Sequence, residues 1–419
     1  MNISFVSLNK EVICKMILTE EQKKMYNGEY GEGAAKAIKI LMGIGRAFGA
    51  KKMVEVSKAH ISLSNQEGDL WFVEQLYKAG AHCRVAPTVN PAYDYEYFSK
   101  ITNIDEHDKD VIVRTIDTYR KLGAILTFDC TPFFEQNVPR FGEICSFSAS
   151  GGSVYVNSVI GARTNREAAQ SAMCSAITGY TPEYGLLLDE NRRGDVLIDV
   201  KADIKTQFDY ELLGYYTPLK MGPEYNMPVF SGIDKNTASD EALMDIGTQL
   251  NIHGVVPMFQ ILGVTPEANT LKDAFTNGEP KHIIEITNED MEKAYDKISK
   301  RTGKVDFAIL GCPHLTINTV EEIANMVDGK TLKGELYLFT SAMTKELADR
   351  MGLLKKIEDA GGHIIINSCV DQPIWSHLKG GSGVTESPKC AYYTTRRDLE
   401  FKVRSIPECI ESVLSGELK

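Results

Sequence analysis

Along residues 34–48 apolar positions recur every three or four residues (AAKAIKILMGIGRAF) and stop at Gly49. That is the pattern of an amphipathic helix with a glycine stop. The same period predicts helices over 69–79, 106–121, 166–176, 239–250, 288–300, 319–327, 343–359 and 407–415. Short β-branched or apolar runs predict strands over 52–56, 83–86, 124–128, 153–156, 195–200, 255–261, 305–310, 334–339 and 363–366. Such alternation implies an α/β fold with mostly parallel sheets flanked by helices. The clearest unit is 288–370, where VDFAIL, ELYLFT and HIIIN alternate with helices as a β-α-β-α-β crossover set. Thr19 followed by Gln22 fits a capping box, and residues 1–15 before it are expected to be a poorly ordered extension.

The stretch 180–240 is the least regular, with RRGD, YELLGYY and PEYNMP. It reads as an insertion or hinge. The division it suggests is a first α/β lobe over 16–215, a soft linker over 216–232 and a second lobe over 233–419. At about 150 residues per domain, 419 residues are consistent with two or three domains.

Charge narrows the function classes. Lys+Arg number 46 against 57 Asp+Glu, a net −11, which argues against nonspecific nucleic-acid or anionic-membrane binding. No uncharged apolar run reaches about 18 residues, so no transmembrane helix is expected. The nine cysteines are odd in number and scattered, with no CxxC pair, unlike a secreted disulfide framework. Asn9, Lys10, Glu11 and Lys15 interrupt any signal-peptide pattern. The expected setting is cytoplasmic, with reduced thiols.

Three cysteines share a context. Cys130 ends AILTFD before Thr131-Pro132, Cys312 ends VDFAILG before Pro313-His314, and Cys369 ends HIIINS four residues before Pro373. Sites in open α/β sheets form outside the carboxyl ends of strands. Three thiolates there would suit zinc or an iron–sulfur cluster, and a three-cysteine cluster leaves one iron open to polarise a substrate hydroxyl. For each of the three, ligand and buried core residue remain alternatives on position alone. Cys14, Cys83, Cys145, Cys174, Cys390 and Cys409 read as structural.

GCPHLT at 311–316, DCTP at 129–132, NSVIGARTNRE at 157–167, GVTPEA at 263–268 and LTEEQKKMYNGEYGEG at 18–33 resemble the aconitase X family in its large-subunit form. The resemblance runs from about Met16 almost to the C-terminus. It implies a multi-lobed aconitase-like α/β fold and an iron–sulfur hydro-lyase, with Cys130, Cys312 and Cys369 as ligands and one open iron. Mononuclear iron is the alternative cofactor. The implied substrate is a small hydroxylated carboxylate, cis-3-hydroxy-L-proline first and 5-phosphomevalonate second; a catalytically inactive binding homologue is the rival of another class. It also implies a small swivelling-domain partner subunit. Tyr215, Tyr216, Tyr225 and Met227 are the aromatic and apolar candidates for its footprint.

Other residues follow from the same motifs. Arg163 could fork onto a substrate carboxylate just before a helix expected near Glu167, with Asn157, Ser158, Gly161, Thr164 and Asn165 around the same anion. His60 in KAHISLS is a candidate donor or acid/base group, with Thr88 and Asn90 of PTVNP nearby. His314 would orient the Cys312 loop. Thr265 and Pro266 read as a helix cap and first helical residue, with Glu267 in the first turn. Ser387 and Lys389 match a family loop that faces the site. Three departures stand out: Ala149-Ser150-Gly151-Gly152 replaces Glu-Ser-Ser-Ala, Asn367-Ser368-Cys369 replaces Asp-Thr-Cys, and Thr385-Glu386-Ser387 replaces Thr-Asn-Ser. Ser150 stays among the substrate-binding candidates.

Overall fold

The computed structural model describes residues 16–64, 66–299 and 302–418. The expected extension over 1–15, with Cys14, lies outside the described residues. Three parallel sheets carry the architecture. The first runs Thr88–Val89, Lys58–Ile61, Cys145–Phe147. The second runs Gln260–Ile261, Pro228–Ser231, Val196–Val200, Ile283–Ile286. The third runs Gly362–Ile365, Glu335–Thr340, Phe307–Leu315, Ser382–Thr385, Glu400–Val403. Short antiparallel pairs, such as Met53–Glu55 with Tyr180–Pro182, are peripheral. The α/β expectation therefore holds.

Strand Phe307–Leu315 is buried on both faces, which is why it reads as a continuous apolar run. Its side chains alternate between two cores. Ala308 and Leu310 face helices Ile317–Val327 and Ile406–Ser415. Phe307 and Ile309 face a core shared with Val89, Tyr93 and Phe98 of the N-terminal region. There Phe98 meets Trp375 edge-on at 5.7 Å. One continuous core thus joins the first and third sheets and fixes how their strand ends face each other.

Several elements differ from the sequence reading. Residues 153–156 are not a strand but part of helix Ser150–Tyr155, which widens into a π turn over Val156–Ile160. The expected strand 83–86 is absent, 124–128 keeps one bridge from Ile125 to Thr88, and 255–261 shortens to Gln260–Ile261. The expected helix 343–359 is two, Ala342–Arg350 and Leu353–Ala360, parted at Gly352 with φ +72°. No helix follows Pro266; Thr265 Oγ1 instead accepts from Ile261 N at 2.9 Å in a tight turn.

The segment 216–232 is not a soft linker. It is the end of helix Gln207–Met221 and a strand, Pro228–Ser231, paired on both sides. That helix packs on helix Asp240–Gly254 so closely that a Cβ on Gly214 would lie 2.6 Å from the Ile246 carbonyl oxygen. Apolar residues around most of its circumference erase the amphipathic stripe that marks surface helices. Tyr215 and Met227 are buried, and Tyr215 meets His253 edge-on at 4.8 Å. The expected partner footprint is largely interior packing.

Candidate functional site

Three cysteine loops meet between the first and third sheets. Residues 125–129 run beside Thr88–Val89, with Ile125 N donating to Pro87 O at 2.8 Å and Asp129 N to Val89 O at 3.1 Å, which delivers Cys130 to the strand ends. Cys312 lies at the carboxyl end of Phe307–Leu315, before a cis bond to Pro313. Gly311 precedes it at φ +106°, and a Cβ there would lie 2.2 Å from the Phe339 carbonyl oxygen, so no other residue fits. Cys369 N donates to Ala92 O at 3.0 Å, tying its loop to the first sheet.

His314 joins all three loops. Its backbone N donates to Cys130 Sγ at 3.3 Å. Ring Nδ1 meets Asp129 Oδ1 at 3.1 Å, and Nε2 meets the Ser368 carbonyl at 3.0 Å. Both ring nitrogens thus have an oxygen partner, one on each of the neighbouring loops. Burial pushes Asp129 up, but hydrogen bonds from His314 and Thr131 more than offset it, and its carboxyl ends below the usual range.

A cavity of about 480 Å³ opens against Cys312 and Cys369. Ser150, Asn90, Lys389, Arg396 and Arg397 also line it. Burial pushes the Cys130 thiol up to about 12 and raises Cys312 and Cys369, while Lys389 pulls all three back. Burial pulls Lys389 down, yet the Cys312, Cys130 and Cys369 sulfurs together raise it above an ordinary lysine. The lysine thus offsets part of the burial that holds all three thiols above their ordinary value.

Not every expected residue reaches this cavity. His60 is fully buried; Nδ1 meets Thr88 Oγ1 at 2.9 Å and Nε2 meets Asn90 Oδ1 at 2.7 Å. It fixes Asn90 rather than facing a substrate, and burial lowers it to about 4. Thr88 is likewise buried, bonded to His60 and Asn137. Arg163 reaches the Leu187 carbonyl at 3.0 Å and pairs with Asp189, and it does not line the cavity. Thr164 and Asn165 are spent on backbone groups: Thr164 Oγ1 accepts from Phe147 N and Asn165 Oδ1 from Leu186 N. Ser158 Oγ accepts from Phe259 N, and Gly161 turns the chain at φ +73°. The helix expected near Glu167 begins at Ala169. Ser387 is buried; its Oγ donates to the Cys312 carbonyl at 2.6 Å and so braces that loop.

Arg192, the first arginine of the RRGD stretch, escaped the sequence reading. It is 1% exposed and pairs with Glu267. It also donates to Asn157 Oδ1, Asn157 O, Leu186 O and Ala162 O. Asn157 is therefore committed to structure. Arg396 and Arg397 were also missed; the only signal was a basic doublet downstream of the TESPK loop.

On this parallel α/β scaffold two loop cysteines, a lysine and two arginines line one cavity, and the loop of Cys130 is tied to them through His314, an arrangement that suits a lyase. Models of the aconitase X first, second and third domains match residues 15–190, 194–296 and 305–415. The chain belongs to the aconitase X family and is a dehydratase of the large-subunit type. It is 34% identical to the phosphomevalonate dehydratase large subunit of Thermococcus kodakarensis, over 93% of this chain and 97% of that one. It is 28% identical to the cis-3-hydroxy-L-proline dehydratase of Pseudomonas aeruginosa, over 93% of this chain and 68% of that one. The crystal structure of the holo-form of Thermococcus kodakaraensis aconitase X superposes with a TM-score of 0.85 at 31% identity, covering 95% of this chain and 100% of that chain. Among the described residues no helix is long and apolar enough to cross a membrane.

Proposed function

We propose that this chain is the large subunit of an iron–sulfur hydro-lyase acting on a small hydroxylated carboxylate that carries a second anionic group. 5-Phosphomevalonate, which has both groups, is the preferred substrate; cis-3-hydroxy-L-proline, with a single carboxylate, is the alternative reading. The observation that carries this reading is that Lys389, Arg396 and Arg397 line the same cavity as Cys312 and Cys369, with both arginines held in place by Asp371 of the same lining. Two guanidinium groups and an ammonium suit a substrate with both a carboxylate and a phosphate better than an imino acid with one carboxylate.

Cys130, Cys312 and Cys369 would hold the metal group. Three thiolates on one ion at bonds of about 2.3 Å would stand about 4 Å apart. The one group of three or more potential ligands among the described residues with all ligand atoms within 4.8 Å is Asp129, Cys130 and His314, which excludes Cys312 and Cys369. That spacing favours a multi-iron cluster over mononuclear iron. When bound, the cluster supplies a Lewis-acidic iron for a leaving hydroxyl. The chain's own groups do the rest. Lys389, Arg396 and Arg397 neutralise the substrate's anionic ends. Asn90, its Oδ1 held by His60 and its Nδ2 bonded to Ser62 Oγ at 3.2 Å, keeps one N–H for a substrate oxygen. Ser150 adds a hydroxyl to the lining. A small partner subunit would cover the cavity, exclude water and bring the base, as the large-subunit naming of the relatives suggests. The setting is taken to be cytoplasmic.

The test is anaerobic co-purification with the small subunit, iron and sulfide analysis, and dehydration assays on both substrates. Iron, sulfide and turnover of 5-phosphomevalonate that collapses in Lys389→Met support the reading. Preferential turnover of cis-3-hydroxy-L-proline moves the substrate to the second reading. Iron-free, inactive complex overturns the proposal.

A further inference from the structure

A second cavity, of about 530 Å³, lies where the starts of helices Gln207–Met221 and Ile406–Ser415 meet helix Asp240–Gly254. Asp209, Glu211, Asp245, Glu322, Glu386 and Glu408 line it, and no Lys, Arg or His does so among the described residues. Asp209 and Glu408 are engaged in capping boxes. Glu386 accepts from Gly311 N at 2.7 Å, and Asp245 accepts from Gln207 Nε2 at 2.6 Å. Glu211 differs: it is 2% exposed, Gln249 is the one side chain that donates toward its carboxyl, and its Oε2 has no hydrogen-bond partner among the described residues. A buried carboxylate oxygen without a donor is costly. The cation that acts on Glu211 and Asp245, Lys389, lines the other cavity. Phe208, Leu212 and Ile406 give the acidic cavity an apolar side.

We propose that this cavity binds an aliphatic organic cation, an ammonium or guanidinium on a short alkyl stem, with Glu211 and Asp245 as its anionic partners. A compact metal ion suits the site poorly, because these carboxylates do not form a group with ligand atoms within 4.8 Å of one another. A cation with separated N–H donors spans wider acceptors, and its stem covers the apolar wall. The same chemistry could arrive as a free amine or as a basic side chain of the partner subunit. This inference is independent of the substrate assigned above.

The test is titration calorimetry of the full chain with 1,4-diaminobutane and N-ethylguanidinium, repeated with potassium and magnesium chloride at matched ionic strength. Saturable binding of one organic cation is expected. Glu211→Gln and Asp245→Asn should each weaken it at least about tenfold, because each removes one charged acceptor, while the exposed control Asp349→Asn leaves it unchanged. Melting curves confirm that the variants fold. If binding persists in the complex with the small subunit, the ligand is a free amine; if it is blocked there, a basic side chain of the partner fills the cavity. Absence of saturable binding, wild-type affinity in both carboxylate variants, or equally tight binding of magnesium overturns the proposal.

Discussion

His314 and Asp129 face each other at 3.1 Å, each 2% exposed, where the ends of two separate sheets meet. The pair links a cysteine loop of one sheet to a cysteine loop of the other. Removing the histidine leaves a buried carboxylate with less compensation. His314→Ala should destabilise the fold by about 3 kcal/mol and lower iron retention, although every thiol remains. Thermal melting together with iron content checks this; a variant that keeps wild-type iron would show that His314 does not hold the loops in place.

Cys312→Ser should abolish iron binding without unfolding the chain, because a hydroxyl is a poor soft-metal ligand. Cys174, fully buried inside helix Ala169–Thr178, is the control. Cys174→Ser should keep its iron. Metal analysis of anaerobically purified variants decides; equal iron in wild type and Cys312→Ser would remove that thiol from the ligand set.

The arginines should separate by position. Arg163 is tied to Asp189 and a carbonyl outside the cavity, so Arg163→Lys should change kcat/KM by no more than about twofold. Lys389→Met should lower it on the order of 100-fold. Arg192→Met should cost about 3–5 kcal/mol of stability by leaving Glu267 and several carbonyls unpaired, and Lys should restore little of it. Steady-state kinetics and denaturant titrations make the comparison; a large kinetic loss in Arg163→Lys would return that residue to the substrate.

Burial lowers His60 from 6.5 to about 4. Between those values the unfolded chain binds a proton that the folded chain does not, so stability falls as pH falls from 6.5 to about 4. The full effect is on the order of 3 kcal/mol. In His60→Gln this component disappears, and the stability gap between wild type and variant should narrow on acidification. Urea titrations at neutral and acidic pH measure it; a constant gap would mean that His60 titrates normally in the fold.

What the sequence revealed depended on whether the signal was local. Strand Phe307–Leu315 and helix Ile317–Val327 were legible because a continuous apolar run and a 3.6-residue period are each visible in a short window. Helix Ser150–Tyr155 was misread because Val154, Tyr155 and Val156 mimic a strand, while its helical state depends on packing against helix Asp240–Gly254. Gly151 allows that approach; a Cβ there would meet Thr248 Oγ1 at 2.7 Å. That the loops of Cys130, Cys312 and Cys369 lie near one another was foreshadowed by apolar runs that end at each cysteine, although the run before Cys130 forms only one bridge. Arg163 and Arg192 look alike in sequence, and only their distant partners, Asp189 and Glu267, tell them apart.

The contact from His314 to Cys130 spans 184 residues. During synthesis Cys130 leaves the ribosome long before the strand bearing Cys312 exists, and Cys369 emerges later still. A nascent chain can pair the first sheet and bury His60, yet it has no complete sulfur set until the last sheet docks. Under the proposed ligand set iron delivery would follow translation, and a product cut short before that sheet forms would offer only Cys130 of the three thiols.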